Sequence, residues 1–130
     1  LITMGSMTGT ARVVVDQMRE EGKPIGLVKL RSFRPFPTED LKEIGKRVEA
    51  IGFVDRNFSH GGASGGAIGA IETSRALYHL DERPPLIGFV AGIGGRDVTY
   101  DDFRYMANKV LKTAETKKVE KEVEWIQLMR

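Results

Sequence analysis

Short apolar segments alternate with segments of helical periodicity along this chain, and that alternation restricts the fold more than any other feature. The apolar segments have the length of strands, and the segments between them place apolar residues at the spacing of a helix. The predicted strands cover residues 1–4, 25–30, 50–54 and 86–91. Strands that alternate with helices predict an α/β fold, a three-layer α/β/α sandwich around a small, mostly parallel sheet of four or five strands.

Four helices are predicted between and after these strands. The first covers about 8–21, the second opens at Thr38, the third follows a glycine-rich stretch, and the last begins near Thr99, where Asp102 completes a near-match to a capping box. The predicted inner faces are Leu41, Ile44 and Val48 for the second helix, and Ile68, Ala70, Ile71, Leu77 and Tyr78 for the third.

The composition excludes several classes of function. The chain has 130 residues, 41% of them hydrophobic, and no cysteine. It therefore cannot form a disulfide, ligate an iron–sulfur cluster through thiolates or use a cysteine nucleophile. The formal charge is only +2, without a basic run, so we expect no nucleic acid as partner. No apolar stretch approaches the roughly 20 residues of a membrane span and no signal peptide is visible, so we expect a cytoplasmic protein and no membrane partner.

The two ends of the chain differ in character from its middle. The chain begins at Leu1, already inside a predicted strand, so we expect a domain of a longer polypeptide. Residues 1–115 form the predicted α/β domain, and residues 116–130 form a tail that is first charged and then apolar, with Trp125, Ile126, Leu128 and Met129. The tail either folds back onto the domain or docks on a partner subunit, because tryptophan is a common interface anchor.

Two glycine-containing loops are candidates for holding an anion. In Gly5-Ser6-Met7-Thr8-Gly9-Thr10, the backbone N–H groups and the hydroxyls of Ser6 and Thr8 could hold a phosphate, but we favour a capped helix with a tight turn. The loop 61–66 follows His60 and opens a helix, but its glycines do not match a dinucleotide fingerprint. His60 has no nucleophile or carboxylate partner at readable spacing, so we predict no catalytic residue and no metal site.

Three arginines lie just past the ends of predicted strands. Arg34 lies in the run Arg31-Ser32-Phe33-Arg34-Pro35-Phe36-Pro37, Arg56 and Asn57 follow Asp55, and Arg96 follows a glycine turn. Because parallel strands end at one edge of a sheet, these groups are candidates for one shared binding edge. The edge could contact a substrate phosphate, a neighbouring domain or only local carboxylates; we favour an interface or local pairing, with Asp55 as an ion-pair partner rather than a catalyst.

Several of these sequence motifs occur together in one known family. The sequence resembles the C-terminal region of the alpha subunit of 2-oxoacid:ferredoxin oxidoreductases, those acting on pyruvate above all. The resemblance is carried, in order, by Thr3-Met4-Gly5-Ser6 with Gly9-Thr10, by Arg31 to Pro37, by Asp55-Arg56-Asn57 and by Gly92-Ile93-Gly94-Gly95-Arg96-Asp97. It implies a fold like the C-terminal domain of transketolase-type enzymes, usually with one antiparallel edge strand.

The resemblance also implies an activity and its cofactors. The family cleaves a 2-oxoacid oxidatively and reduces ferredoxin, using thiamine diphosphate, magnesium, coenzyme A and iron–sulfur clusters in the assembled enzyme. This chain lacks the Gly-Asp-Gly magnesium motif, the cluster cysteines and a match to the glutamate that activates thiamine. We therefore expect a structural and subunit-contact domain that binds none of these cofactors alone and has no complete active site.

The expected partners are the remainder of the alpha subunit, the beta, gamma and delta subunits and, through the complex, ferredoxin. Two alternatives stay open at this stage. One is the equivalent domain of a transketolase-like or 2-oxoacid dehydrogenase enzyme, and the other is a free-standing anion- or nucleotide-binding module.

Overall fold

The computed structural model describes residues 1–126, apart from the side chain of Ser64. The strands are β1 (Ile2–Met4), β2 (Val28–Leu30), β3 (Ile51–Asp55), β4 (Leu86–Val90) and β5 (Val123–Trp125). The helices are α1 (Met7–Glu20), α2 (Thr38–Gly45), α3 (Ile68–Leu77) and α4 (Tyr100–Thr116). The described strands form one sheet in the order β2-β1-β3-β4-β5, and every neighbouring pair is parallel.

The helices cover both faces of the sheet and create two apolar cores. On one face, Met18 of α1 and Phe103 and Met106 of α4 pack on Val54 and Phe89 of the central strands. On the other face, Leu41 of α2 and Ala70 and Leu77 of α3 pack around Phe53 and Val90. The predicted three-layer α/β/α arrangement is therefore confirmed.

One crossover connection differs in hand from the other three. The connections through α2 and α3 both run across the sheet in the direction from β2 to β5, and both helices lie on one face. The connection through α1 runs in the opposite direction with its helix on the opposite face, so all three have the same hand. The connection through α4 moves towards β5, yet its helix lies beside α1. It therefore departs from the uniform hand that such connections usually share.

Some predicted boundaries and faces are wrong. The second strand begins at Val28 rather than at residue 25, and α2 ends at Gly45, which leaves Val48 beyond the helix and 38% exposed. At the end of α2, Gly45 allows α2 and α3 to pack closely, since a Cβ there would lie 2.8 Å from Cδ2 of Leu77. Similarly, α3 ends at Leu77, so Tyr78 is 60% exposed.

The inner face of α3 consists mainly of small residues. It is formed by Gly69, Ala70, Thr73, Ala76 and Leu77, whereas Ile68 and Ile71, predicted to face inward, are only partly buried. Small side chains allow this helix to approach the sheet closely: a Cβ on Gly88 of β4 would lie 2.9 Å from the Cβ of Ala67 and 3.0 Å from that of Ala70.

The first residues of the tail complete the sheet. After α4 ends, Val123–Trp125 pair with β4, and the backbone N–H of Ile126 donates to the carbonyl of Val90 at 2.9 Å. This edge strand is parallel to β4, so it is not the antiparallel edge strand that the resemblance implies. Leu128 and Met129 lie outside the described residues, and docking of the tail on a partner subunit stays a prediction.

Candidate functional site

The parallel strands bring four turns of the chain to one edge of the sheet. We call this edge the C-terminal rim, and it comprises residues 5–6 after β1, 31–37 after β2, 56–60 after β3 and 92–97 after β4. All the arginines predicted as candidates lie here. The carboxyl edge of an open parallel sheet is where ligands and partners usually bind in such folds.

Asp55 lies just below the rim and is used within the fold. It is 8% exposed, and both of its carboxylate oxygens accept a hydrogen bond from the backbone N–H of Gly69 at 3.0 Å. Burial raises the pKa of Asp55 to about 6, and hydrogen bonds from the backbone of Gly69 and Ala70 partly oppose that rise. Asp55 therefore caps α3 from outside the helix, and the expected ion pair with Arg56 is not formed among the described residues.

Arg56 connects the turns after β3 and β4. A Cβ placed on Gly92 would lie 3.1 Å from Nε and 3.3 Å from Cζ of Arg56, so the arginine side chain lies directly against this glycine. Gly92 also has a φ of +74°, which side-chain-bearing residues rarely adopt. Within the described residues, the guanidinium of Arg56 forms no hydrogen bond or ion pair, and Arg56 and Asn57 are both exposed.

Arg34 is held by a local carboxylate and by its own turn. Its Nη2 lies 2.6 Å from Oε1 of Glu72 on α3, its Nη1 donates to the carbonyl of Phe33 at 2.9 Å, and its guanidinium lies 4.5 Å from the Phe33 ring centre. The peptide bond between Arg34 and Pro35 is cis. Arg34 thus extends from the rim towards α3, and local pairing accounts for its orientation.

The remaining candidates share the rim but differ in exposure. Arg96 is exposed after the 3₁₀ turn Ile93–Gly95, and Ser6 is exposed at the start of α1, where its hydroxyl caps no backbone group. Thr8 is only 5% exposed, and its hydroxyl is 2.8 Å from that of Thr3 in the interior. Of the two hydroxyls predicted to hold an anion, therefore, only that of Ser6 faces solvent.

An aromatic cluster that the sequence did not predict completes the rim next to β5. The ring centre of Phe58 lies 4.6 Å from that of Trp125 and 4.5 Å from that of His60, both in edge-to-face geometry. Only the lone tryptophan in the tail signalled this contact in advance. His60 therefore contacts the Phe58 ring, and it forms no side-chain hydrogen bond with the described residues.

The rim carries no ready-made metal site. Among the described residues, no group of three or more histidine, cysteine, aspartate or glutamate side chains could hold a metal ion. No helix in residues 1–126 has the length and hydropathy to cross a membrane. What the rim offers is exposed guanidinium groups beside half-buried aromatic rings.

The comparisons with known proteins point to one family. The family model for the pyruvate:ferredoxin oxidoreductase core domain II matches residues 1–103. The chain belongs to this family. The match includes all four turns of the C-terminal rim and ends inside α4.

Curated relatives extend this similarity over nearly the whole chain. Ketoisovalerate oxidoreductase subunit VorA of Pyrococcus furiosus is 43% identical over 127 residues, which are 98% of this chain and 32% of that protein. Pyruvate synthase subunit PorA of Pyrococcus horikoshii is 40% identical over 132 residues, 99% of this chain and 32% of that protein. PorA of Methanocaldococcus jannaschii is 40% identical over 112 residues, 86% of this chain and 27% of that protein. The chain thus spans about a third of the length of these relatives.

Proposed function

We propose that this core domain II is part of the alpha-type subunit of a 2-oxoacid:ferredoxin oxidoreductase. The assembled enzyme would convert pyruvate or a related 2-oxoacid to its acyl-coenzyme A, reducing ferredoxin, or catalyse the reverse reaction. The observation that carries the proposal is the similarity of 40–43% to VorA and PorA subunits over 98–99% of the chain. The proposal includes a cytoplasmic location, as the family resemblance implies.

Within that enzyme we assign this domain a structural and subunit-contact role. Among the described residues, no group of three or more histidine, cysteine, aspartate or glutamate side chains is placed to hold a magnesium ion. The chain has no cysteine for iron–sulfur clusters. The described residues therefore offer no magnesium site and the chain no iron–sulfur ligands, and we assign these cofactors and coenzyme A to other parts of the enzyme.

The C-terminal rim is the surface we assign to contact with the rest of the alpha subunit or with the other subunits. Protein interfaces are enriched in arginine and aromatic residues relative to the remaining surface, and the rim combines both. Arg31 and Arg56 are exposed and have no ion-pair partner among the described residues, so they are available to acidic groups of a partner.

The similarity of this domain to its relatives does not distinguish between 2-oxoacid substrates. The VorA and PorA relatives, named for ketoisovalerate and pyruvate, differ by only three percentage points in identity to this chain. The proposal is therefore stated for the substrate class, a 2-oxoacid.

The test is purification of the complex that contains this chain, followed by assays of ferredoxin reduction with pyruvate and with 2-oxoisovalerate in the presence of coenzyme A. We expect reduction that requires a 2-oxoacid and coenzyme A, and iron–sulfur absorption in a co-purifying subunit. A lipoyl carrier protein in place of an iron–sulfur subunit would contradict the proposal and favour the dehydrogenase alternative.

The subunit-contact role is tested by Arg56→Gln, with Arg12→Gln as matched control. Arg12 is exposed on α1, on the surface of the sandwich rather than on the rim. We expect Arg56→Gln to lower the yield of assembled complex several-fold, and Arg12→Gln to leave it unchanged, because buried interfacial charges contribute more than exposed ones. Equal assembly of the two variants would contradict the role of Arg56.

A further inference from the structure

A groove between α2 and α3 borders the C-terminal rim and shares Phe36 with it. It has a volume of about 390 Å³ and is lined by Phe36, Thr38, Lys42, Glu72, Arg75, Ala76 and His79. Thr38 and Lys42 are one helical turn apart on α2, and the α3 side contributes positions that also repeat at helical spacing. The volume falls in the range of about 300–1,000 Å³ that is typical of sites for small molecules.

The lining of this cavity carries an excess of positive charge. The guanidinium of Arg75 forms no hydrogen bond or ion pair with the described residues, and Lys42 makes one long contact, 3.5 Å, with the largely exposed Glu39. The one carboxylate in the lining, that of Glu72, is already neutralised by Arg34 at 2.6 Å. Lys42 and Arg75 therefore have charge available for a ligand, and the imidazole of His79 adds a further donor.

The rest of the lining suits the remainder of a small organic anion. The hydroxyl of Thr38 forms no hydrogen bond within the described residues, so it can donate to or accept from a ligand. Phe36 is half-buried, held edge-to-face by Phe33 with ring centres 5.6 Å apart, and Ala76 is 6% exposed. Phe36 and Ala76 thus form a small apolar base, and the other lining residues are polar or charged.

We propose that the groove between α2 and α3 binds a small organic anion carrying a phosphate or carboxylate group. Arg75 and Lys42 contact the charged group, Thr38 hydrogen-bonds to it, and Phe36 and Ala76 contact the apolar part. Arginine is favoured for such a role because its planar fork donates two parallel hydrogen bonds to an anion. The charged groups of the groove lie outside the rim, so the inference does not require the function proposed for the C-terminal rim.

The experiment is a titration of the full 130-residue chain with inorganic pyrophosphate, followed by backbone amide NMR and calorimetry. We expect saturable binding with shifts centred on Thr38, Lys42 and Arg75. Arg75→Gln should weaken binding by about ten-fold or more, because a charge-assisted contact is lost. Lys42→Gln should weaken it less, because Lys42 is already partly engaged by Glu39.

Two matched variants make the result specific to the groove. Arg12→Gln removes one exposed positive charge elsewhere, and Arg56→Gln removes one from the C-terminal rim; we expect both to leave the affinity within about two-fold. No saturable binding, shifts centred on the rim turns after β3 and β4, or an equal loss in Arg12→Gln would overturn the proposal. Titration with succinate identifies the anion: affinity equal to that for pyrophosphate extends the site to carboxylates, and weaker affinity assigns it to phosphates.

Discussion

The helices α3 and α4 begin in two different ways, although an aspartate carboxylate takes part in both N-terminal caps. In α4 the cap is local: the Asp102 N–H donates to Oγ1 of Thr99 at 3.1 Å, and the Thr99 N–H donates to Oδ2 of Asp102 at 3.0 Å. In α3 the residue at the cap position is Ala67, which offers no side-chain oxygen. The carboxylate comes instead from Asp55 of β3, 14 residues before Gly69, whose N–H donates to it.

The two caps depend on the rest of the fold to different degrees. The cap of α4 needs only one turn of chain, so it can form as soon as the helix does. The cap of α3 exists only when β3, the glycine loop and α3 are all in place, and it requires burial of a carboxylate. The local cap adds to helix stability, whereas the distant cap couples a helix to the sheet.

The largest expected effect is at the contact that lets Asp55 reach α3. A Cβ on Gly69 would overlap the ring of Phe53, which is 1% exposed. We expect Gly69→Ala to lower the free energy of unfolding by about 3 kcal/mol, because an overpacked core must shift α3 away from the sheet and from Asp55. Urea unfolding monitored by circular dichroism measures it.

The control for this variant is Gly9→Ala in α1. A Cβ there would meet no atom within 4 Å, so the substitution changes only the backbone entropy and the helix propensity. We expect Gly9→Ala to raise the free energy of unfolding by about 0.5–1 kcal/mol. Equal effects of the two alanines would show that α3 does not depend on close packing at Gly69.

The second prediction concerns the buried charge of the distant cap. Because the pKa of Asp55 is about 6 in the folded state against 3.8 in the unfolded chain, the folded state binds more protons, and stability falls as the pH rises through that interval. Relative to Asp55→Asn, the wild type should lose about 2 kcal/mol of unfolding free energy between pH 4.5 and 7.5. Urea unfolding at several pH values gives the difference between the two curves.

Asp55→Ala separates the cap from the charge. It removes both acceptor oxygens, so the N–H groups of Gly69 and Ala70 lose their partner, and we expect a loss of about 1–2 kcal/mol at pH 7 relative to Asp55→Asn. Parallel pH curves for the wild type and Asp55→Asn would show that the carboxylate is less buried in solution than in the structure.

The smallest effect is expected at the local cap. Thr99→Ala removes the hydroxyl that accepts from the Asp102 N–H, and we expect a loss of about 1 kcal/mol. Thr99→Ser keeps the hydroxyl and should stay within about 0.5 kcal/mol of the wild type. Thermal unfolding of the three proteins tests this, and a loss in Thr99→Ser as large as in Thr99→Ala would assign the effect to the threonine methyl group instead.

Sequence reasoning anticipated features that depend on neighbouring residues. The capping box of α4 was predicted and is confirmed, as is the alternation of strands and helices that places the arginine turns at one edge. It missed Asp55 as a cap and assigned Val48 and Tyr78 to inner faces, because those outcomes depend on where α2 and α3 end against each other. The cavity between these helices was missed for the same reason.

Periodicity, turn residues and local caps act within a few residues, so the alternating order of strands and helices, the cap of α4 and the arginine-bearing turns could be read from the sequence. The strand order, the unusual hand of the connection through α4, the cap that Asp55 provides and the contact of Trp125 with Phe58 could not. These depend on which distant segments can share buried space, and buried volume is a property of the whole packed chain.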